Sequence, residues 1–205
     1  LNLPGSALSG GKSTSRERVK DDFYATPIEA TLALLDHETF TGSILEPACG
    51  QGHIVKALKM RYPGAMIRSS DLVLRDDVFN LSNTQEYGLF LEADFLGNTF
   101  FTGCIDNVIT NPPFSLAQSF IEKALDVARM KVAMFCKIQL LEGVARKDMF
   151  ENTPLKTVYV FSKRVNPLRN GEELDENGKP WASTMCFAWF VWDKEYKHKP
   201  VIEWI

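Results

Sequence analysis

Two short stretches hold the residues best suited to chemistry. The first is Ile44-Leu45-Glu46-Pro47-Ala48-Cys49-Gly50-Gln51-Gly52-His53-Ile54, and the second is Val108-Ile109-Thr110-Asn111-Pro112-Pro113-Phe114. Each begins as a short apolar strand and ends in an abrupt turn ahead of a helical pattern. Gly50 and Gly52 let the backbone turn tightly and approach a ligand closely, because they lack a Cβ. The helix that follows offers free N–H groups and the positive end of its dipole. Glu46, just before the glycines, would repel a pyrophosphate but can accept from an ammonium group. The third glycine of the dinucleotide fingerprint is missing, since His53-Ile54-Val55 fills its place. In the second turn, two prolines remove two donors and stiffen the chain. They leave the Asn111 side-chain oxygen and the Pro112 carbonyl as fixed acceptors, which suit a planar NH₂ group. Phe114 offers a flat face for stacking on an extruded base, a contact worth about 1–3 kcal/mol.

Two further acids extend the first turn into a cradle. Asp71 ends the next predicted strand, where a ribose diol is gripped in open α/β sheets. Asp94 ends the one after and could accept from an adenine amino group, with Phe95 packing on the ring. Alone, each acid also fits a solvated strand end or a helix cap. Ending consecutive strands behind a glycine turn, they favour a nucleoside. With Glu46, the set points away from NAD and towards S-adenosylmethionine.

The elements that must position these residues alternate along the chain. Strands are predicted near residues 43–46, 65–71, 89–95, 104–110, 131–138, 157–162 and 185–193, with a short edge at 200–205. Helices are predicted at 53–61, 115–130 and 140–150. Ahead of them, Asp22-Phe23-Tyr24-Ala25-Thr26-Pro27 precedes a helix beginning at Ile28, with Thr26 as N-cap and Pro27 at the first helical position. Phe23 and Tyr24 either cover the core or close over a cofactor. Such alternation predicts a doubly wound, mostly parallel α/β sheet. The 157–162 and 185–193 strands have no helix between them, so one of them runs antiparallel to the rest. The polar loop at 163–184, rich in turn signals, is long enough to be functional or mobile rather than neutral.

Composition excludes several classes. A net charge of −3 argues against nucleic-acid binding through bulk charge, so any such contact rests on local clusters: Lys12, Arg16, Arg18 and Lys20, and Lys163, Arg164 and Arg169. No apolar run is long enough to span a membrane, and no signal peptide is apparent. The expectation is a cytoplasmic protein. Cys49, Cys104, Cys136 and Cys186 show no CxxC spacing and read as buried free thiols. His37, His53 and His198 form no ligand pattern, so no metal is expected. Residues 1–20 read as a mobile arm or a non-native remnant, and residues 21–205 as a single domain.

The Glu46–Gly52 and Asn111–Phe114 motifs together resemble those of the class I, S-adenosylmethionine-dependent amino-methyltransferases. Their order, behind an aromatic N-terminal motif, is similar to that of the gamma-type DNA adenine-N6 enzymes. Asp22-Phe23-Tyr24-Ala25-Thr26-Pro27 and Phe187-Ala188-Trp189-Phe190-Val191-Trp192 resemble the small phage and prophage members. The likeness runs through most of residues 21–205. It implies a seven-stranded sheet with an antiparallel hairpin at one edge. It also implies that Glu46, Pro47, Ala48, Gly50 and Gly52 hold the methionine part of the cofactor, Asp71 its ribose, and Asp94 with Phe95 its adenine. Phe23, Tyr24 and Thr26 would close over it, and Asn111, Pro112, Pro113 and Phe114 would hold the target base. DNA is the implied partner and S-adenosylhomocysteine the product. With no separate target-recognition domain, recognition would fall to the 163–184 loop, the residues after Phe114 and the N-terminal arm. No cysteine has the Pro-Cys setting of carbon-5 cytosine methylation. RNA bases and protein glutamine are alternative acceptors, although glutamine enzymes typically have Tyr where Phe114 stands. A cofactor-binding scaffold without catalysis is the rival from another class.

Overall fold

A computed structural model describes residues 24–74, 89–97, 101–169, 171, 174, 177–179 and 185–205. Phe23, the basic residues of the N-terminal arm and parts of the 163–184 loop lie outside the described residues. Ten strands are described: β1 (Tyr24–Ala25), β2 (Ile44–Glu46), β3 (Ile67–Asp71), β4 (Leu89–Glu92), β5 (Ile105–Thr110), β6 (Ala128–Lys137), β7 (Leu155–Val160), β8 (Leu168–Arg169), β9 (Phe187–Asp193) and β10 (Val201–Trp204). The described helices are α1 (Ile28–His37), α2 (His53–Arg61), α3 (Ala117–Val127) and α4 (Val144–Glu151).

Eight strands form one sheet in the order β10-β7-β9-β6-β5-β2-β3-β4, and β1 pairs with β8 in a separate two-stranded sheet. All pairings in the large sheet are parallel except those of β9, which runs antiparallel to both β6 and β7. The doubly wound, mostly parallel architecture is therefore as the sequence pattern predicts. The strand count is eight rather than seven, because β10 adds outside β7. The antiparallel pair consequently sits inside that edge strand.

Alternation along the central strands feeds two apolar layers. Ile105, Val108, Val132, Met134, Phe190 and Trp192 face the helix α3, whose Phe120, Ile121 and Ala124 recur at helical spacing. Ile44, Ile109, Ala133, Phe135, Trp189 and Val191 face α1 and α2 on the other side. Two buried indoles are tied by hydrogen bonds: Trp189 Nε1 donates to the Ala30 carbonyl at 2.8 Å, and Trp192 Nε1 to Thr153 Oγ1 at 3.0 Å. Truncating either to Ala would cost about 3–5 kcal/mol.

Several local expectations shift. Pro27 is the cap position of α1 and makes no side-chain cap bond, so Thr26 is not the N-cap. Instead its buried Oγ1 has no hydrogen-bond partner among the described residues. The predicted 115–130 helix ends at Val127, because pairing of Ile105 with Ala128 draws the chain into β6. The predicted 140–150 helix splits into a 3₁₀ turn at Ile138–Leu141 and α4, around Gly143 at φ +124°. None of the four cysteines forms a disulfide, and Cys49 and Cys136 are buried whereas Cys104 and Cys186 are exposed. No described helix is long and apolar enough to cross a membrane.

Candidate functional site

The carboxyl ends of β2, β3 and β5 open onto a cavity of about 590 Å³, within the range of small-molecule sites. Residues 46–49, with His53 and Ile54, form one wall, while Gly50 and Gly52 between them do not line the cavity. Gly50 and Gly52 both take left-handed conformations, φ +52° and +79°, which favour glycine. The Gly52 N–H donates to the Cys49 carbonyl at 2.7 Å, and the Gly52 carbonyl accepts from Lys56 at 2.8 Å as α2 begins. The turn is tied to the neighbouring strand as well. The Cys49 N–H donates to the Ser70 carbonyl at 3.0 Å, and the Gly50 N–H to Asp71 Oδ2 at 2.8 Å. Asp71 Oδ1 accepts from the Val73 N–H at 3.2 Å. Asp71 thus braces the turn from inside the cavity, while its carboxylate retains further lone pairs.

Glu46 is 2% exposed and lines the same wall. Burial, reinforced by the charge of Asp71, raises its pKa well above the ordinary carboxylate value, against a lowering contribution from the Val55 N–H. Its Oε2 has no hydrogen-bond partner among the described residues. A buried acceptor with nothing to accept from is costly, and a cationic donor entering the cavity would relieve that cost. Cys49 lies in the same field, and burial with the charges of Glu46 and Asp71 pushes its thiol far up. Burial also pushes Cys136 up to about 12. Neither is a thiolate nucleophile at neutral pH.

A second part of the lining comes from the end of β5, the strand next to β2. The Asn111 side chain donates through Nδ2 to the Tyr24 carbonyl at 2.7 Å. A carbonyl needs a donor, so this contact fixes which end of the amide is nitrogen. It leaves Oδ1 as a buried acceptor without a partner among the described residues. Pro112 and Pro113 line the cavity beside it, as do Tyr24, Ala25 and Thr26. Asp94 and Phe95 also line it. Asp94 lies beyond the end of β4, exposed, and its Oδ1 accepts from the Leu96 N–H at 3.0 Å. Phe95 belongs to the core, with its ring 5.2 Å from that of Phe120.

Phe114 stands apart from the others. It does not line the cavity. Its ring stacks on Tyr24 at 5.3 Å, meets Phe187 at 5.7 Å, and has the Lys137 ammonium 4.0 Å from its centroid. A base stacking on Phe114 would have to displace one of these neighbours. Lys163 and Arg164 are exposed just past β7, and Arg169 is described through its backbone, which pairs with Tyr24.

Three features escape reading from sequence. The Tyr24 carbonyl that orients Asn111 is a backbone group, invisible in residue types. Ser70 and Thr110, at or beside strand ends next to Asp71 and Asn111, carry buried hydroxyls without partners among the described residues. Their position beside the acid and the amide at strand ends was the available signal. Among the described residues, no cluster of His, Cys, Asp or Glu could hold a metal ion.

No protein-family model matches the sequence, and no curated protein matches it. Solved structures do resemble it. One is a Pyrococcus horikoshii protein to which RNA methyltransferase activity has been attributed. It has a TM-score of 0.62 and 14% identity, over 92% of this chain and 94% of that one. Another is a predicted O-methyltransferase of Agrobacterium tumefaciens, with TM-score 0.60 and 14% identity over 85% and 84%. TrmK of M. capricolum, solved with the cofactor product S-adenosylhomocysteine, gives 0.51 and 10% over 81% and 68%. At these identities the likeness shows the fold, the Rossmann-like fold of class I methyltransferases.

Proposed function

We propose that the protein transfers a methyl group from S-adenosylmethionine to the exocyclic N6 amine of adenine in DNA. The observation that carries this reading is the Asn111 amide. Its nitrogen is held by the Tyr24 carbonyl, so a lone, buried Oδ1 acceptor is held just past the end of β5, in a residue that lines the same cavity as Glu46.

The cavity fits the cofactor by the chemistry of its walls. Glu46 Oε2 is a buried acceptor suited to an ammonium, and Gly50 and Gly52 form a turn with no side chains in the way. Pro47 and Ala48 complete that wall, Asp71 has lone pairs left for a ribose diol, and Asp94 with Phe95 borders the remaining part. When bound, the cofactor supplies an electrophilic methyl group. The chain's own contribution is orientation, which can supply a large part of a rate enhancement without a covalent intermediate. Asn111 Oδ1 and the Pro112 carbonyl accept the two amine hydrogens, aiming the nitrogen lone pair. The target base must leave its stack to reach them, and stacking on Phe114 requires Lys137 or Tyr24 to move aside. Lys163 and Arg164 supply positive charge for phosphates on an otherwise acidic chain.

An RNA base is the second reading, supported by the Pyrococcus horikoshii neighbour's attributed activity. The test combines purified protein and methyl-labelled cofactor with DNA, RNA or protein acceptors, followed by nucleoside analysis. N6-methyladenine from DNA is the expected product. Label only in RNA or protein would overturn the acceptor, and cofactor binding without transfer would favour a scaffold. Reversing the charges of Lys163 and Arg164 should weaken DNA binding and lower its salt slope by about 0.9 per lost phosphate contact.

A further inference from the structure

The strand that orients Asn111 is short and stands outside the main sheet. Tyr24 and Ala25 form β1, and their strand partner is β8, through Tyr24↔Arg169 and Ala25↔Leu168. An isolated pair of strands is marginally stable at best, and two residues each is shorter than a usual strand. The position of the Tyr24 carbonyl, and with it the Asn111 amide, therefore depends on whether the segment after β7 stays docked. That same segment begins with Lys163 and Arg164.

A second contact ties the segment to the glycine turn. Gly171 sits at φ +79°, and a Cβ on it would fall on the side-chain oxygen of Gln51. Gln51 lies between the two glycines of the turn. Gly171 thus meets the glycine turn, and Leu168–Arg169 pairs with the strand that orients the acceptor amide. Glu46, just before that turn, and Asn111 both line the cavity.

We infer that this β1–β8 clasp is the positioning element of the site and couples its two halves. Nucleic acid docked on the basic segment stabilises the clasp, the clasp holds Tyr24 against Asn111 and Gly171 against the glycine turn, and the cofactor binds more tightly. Linkage makes the effect reciprocal, so bound cofactor tightens nucleic-acid binding by the same factor. The inference rests on the reading of the cavity as a cofactor and amine site.

The experiment uses the full chain and S-adenosylhomocysteine, which binds without turnover. Its affinity is measured by calorimetry alone, then with a saturating adenine-containing DNA duplex, and separately with RNA of the same sequence. Tightening of about tenfold with the preferred nucleic acid is expected, within the usual range of coupling. In parallel, hydrogen exchange at residues 24–26 should slow when the nucleic acid is added. Gly171→Ala must move the Gln51 side chain and strain a left-handed backbone. It should bring the coupling factor close to one, while affinity for S-adenosylhomocysteine alone changes by less than about threefold, an effect near 0.6 kcal/mol. Absence of S-adenosylhomocysteine binding to the unaltered protein would overturn the cofactor reading and the inference with it. Binding of both ligands with a coupling factor of one overturns the clasp alone. So does full coupling in Gly171→Ala, or unchanged exchange at residues 24–26.

Discussion

Glu38 and Glu46 are both buried, at 2% exposure each, and their surroundings could hardly differ more. Glu38 follows α1 and is surrounded by donors. Lys131 Nζ donates to it at 2.7 Å, Lys156 Nζ at 2.6 Å and the Tyr159 hydroxyl at 2.9 Å. Burial alone would raise its pKa, but these hydrogen bonds and the Lys131 charge outweigh burial and hold it below the ordinary value. Glu46, at the end of β2, has Asp71 beside it and an oxygen with no partner among the described residues, and its pKa rises. One carboxylate is a finished structural joint. The other keeps one oxygen unsatisfied among the described residues. The same contrast separates the carboxyl ends of the strands from the far end, where Asp106 is bound by Ser43 and by the Arg129 guanidinium.

Substitutions can break or sharpen this comparison. The largest effect is expected at the acceptor amide: Asn111→Ala should lower kcat/KM by about 10²–10³-fold, about 3–4 kcal/mol, with an unchanged melting temperature. Retention of activity there would remove the proposed chemistry. Glu38→Ala should do the reverse, costing about 3 kcal/mol in denaturant unfolding. That is the low end for a broken buried pair, since Lys131 and Lys156 keep solvent contact. Ligand affinity should survive under folded conditions.

Glu46→Gln comes next. It should weaken S-adenosylhomocysteine binding about tenfold, about 1.4 kcal/mol, while leaving the ligand-free protein as stable or more so. The pH dependences have opposite signs. Glu38, held below its unfolded value, contributes stability that is present above pH 4.5 and lost as pH falls through its folded pKa. Glu46, raised above its unfolded value, is cost-free below pH 4.5 and lowers ligand-free stability as pH rises towards its folded pKa. Unfolding midpoints across pH should lose the rising limb in Glu38→Gln and the declining limb in Glu46→Gln. The smallest effect belongs to Arg129→Ala, where a half-exposed guanidinium leaves an exposed pair worth less than about 1 kcal/mol. Methyl transfer in that variant should be unaltered.

The two glutamates also show what a sequence can reveal. The place of Glu46 at the cavity was legible because its setting is local: a strand, an acid, two glycines and a helix are adjacent in the chain. Asn111 was legible for the same reason, with two prolines fixing its turn. Central strands such as β5, β6 and β9 announce themselves by apolar runs with both faces buried. Glu38 carried no signal, because its partners lie 93, 118 and 121 residues away. The β1–β8 pair was equally hidden, since two residues have no periodicity and the pairing is long-range. Thr26 was misplaced because a Thr-Pro pair ahead of a helix fits a cap by local rules, whereas the structure uses Pro27 there and leaves the hydroxyl at the cavity. Local patterns reported the scaffold and the first contacts of the site. What orients those contacts is non-local.

The strand order has a consequence for how the chain is made. β9 fills the gap between β6 and β7, yet it is the last of the three in the chain. A nascent chain that has emerged only as far as β7 carries two unpaired inner edges and lacks the Trp189 and Trp192 side chains that both apolar layers close around. The sheet can be completed only once residues 187–193 are free to slide between strands already laid down. The core can therefore seal only after residues 187–193 have been synthesised, and burial of those two indoles marks that moment by their fluorescence.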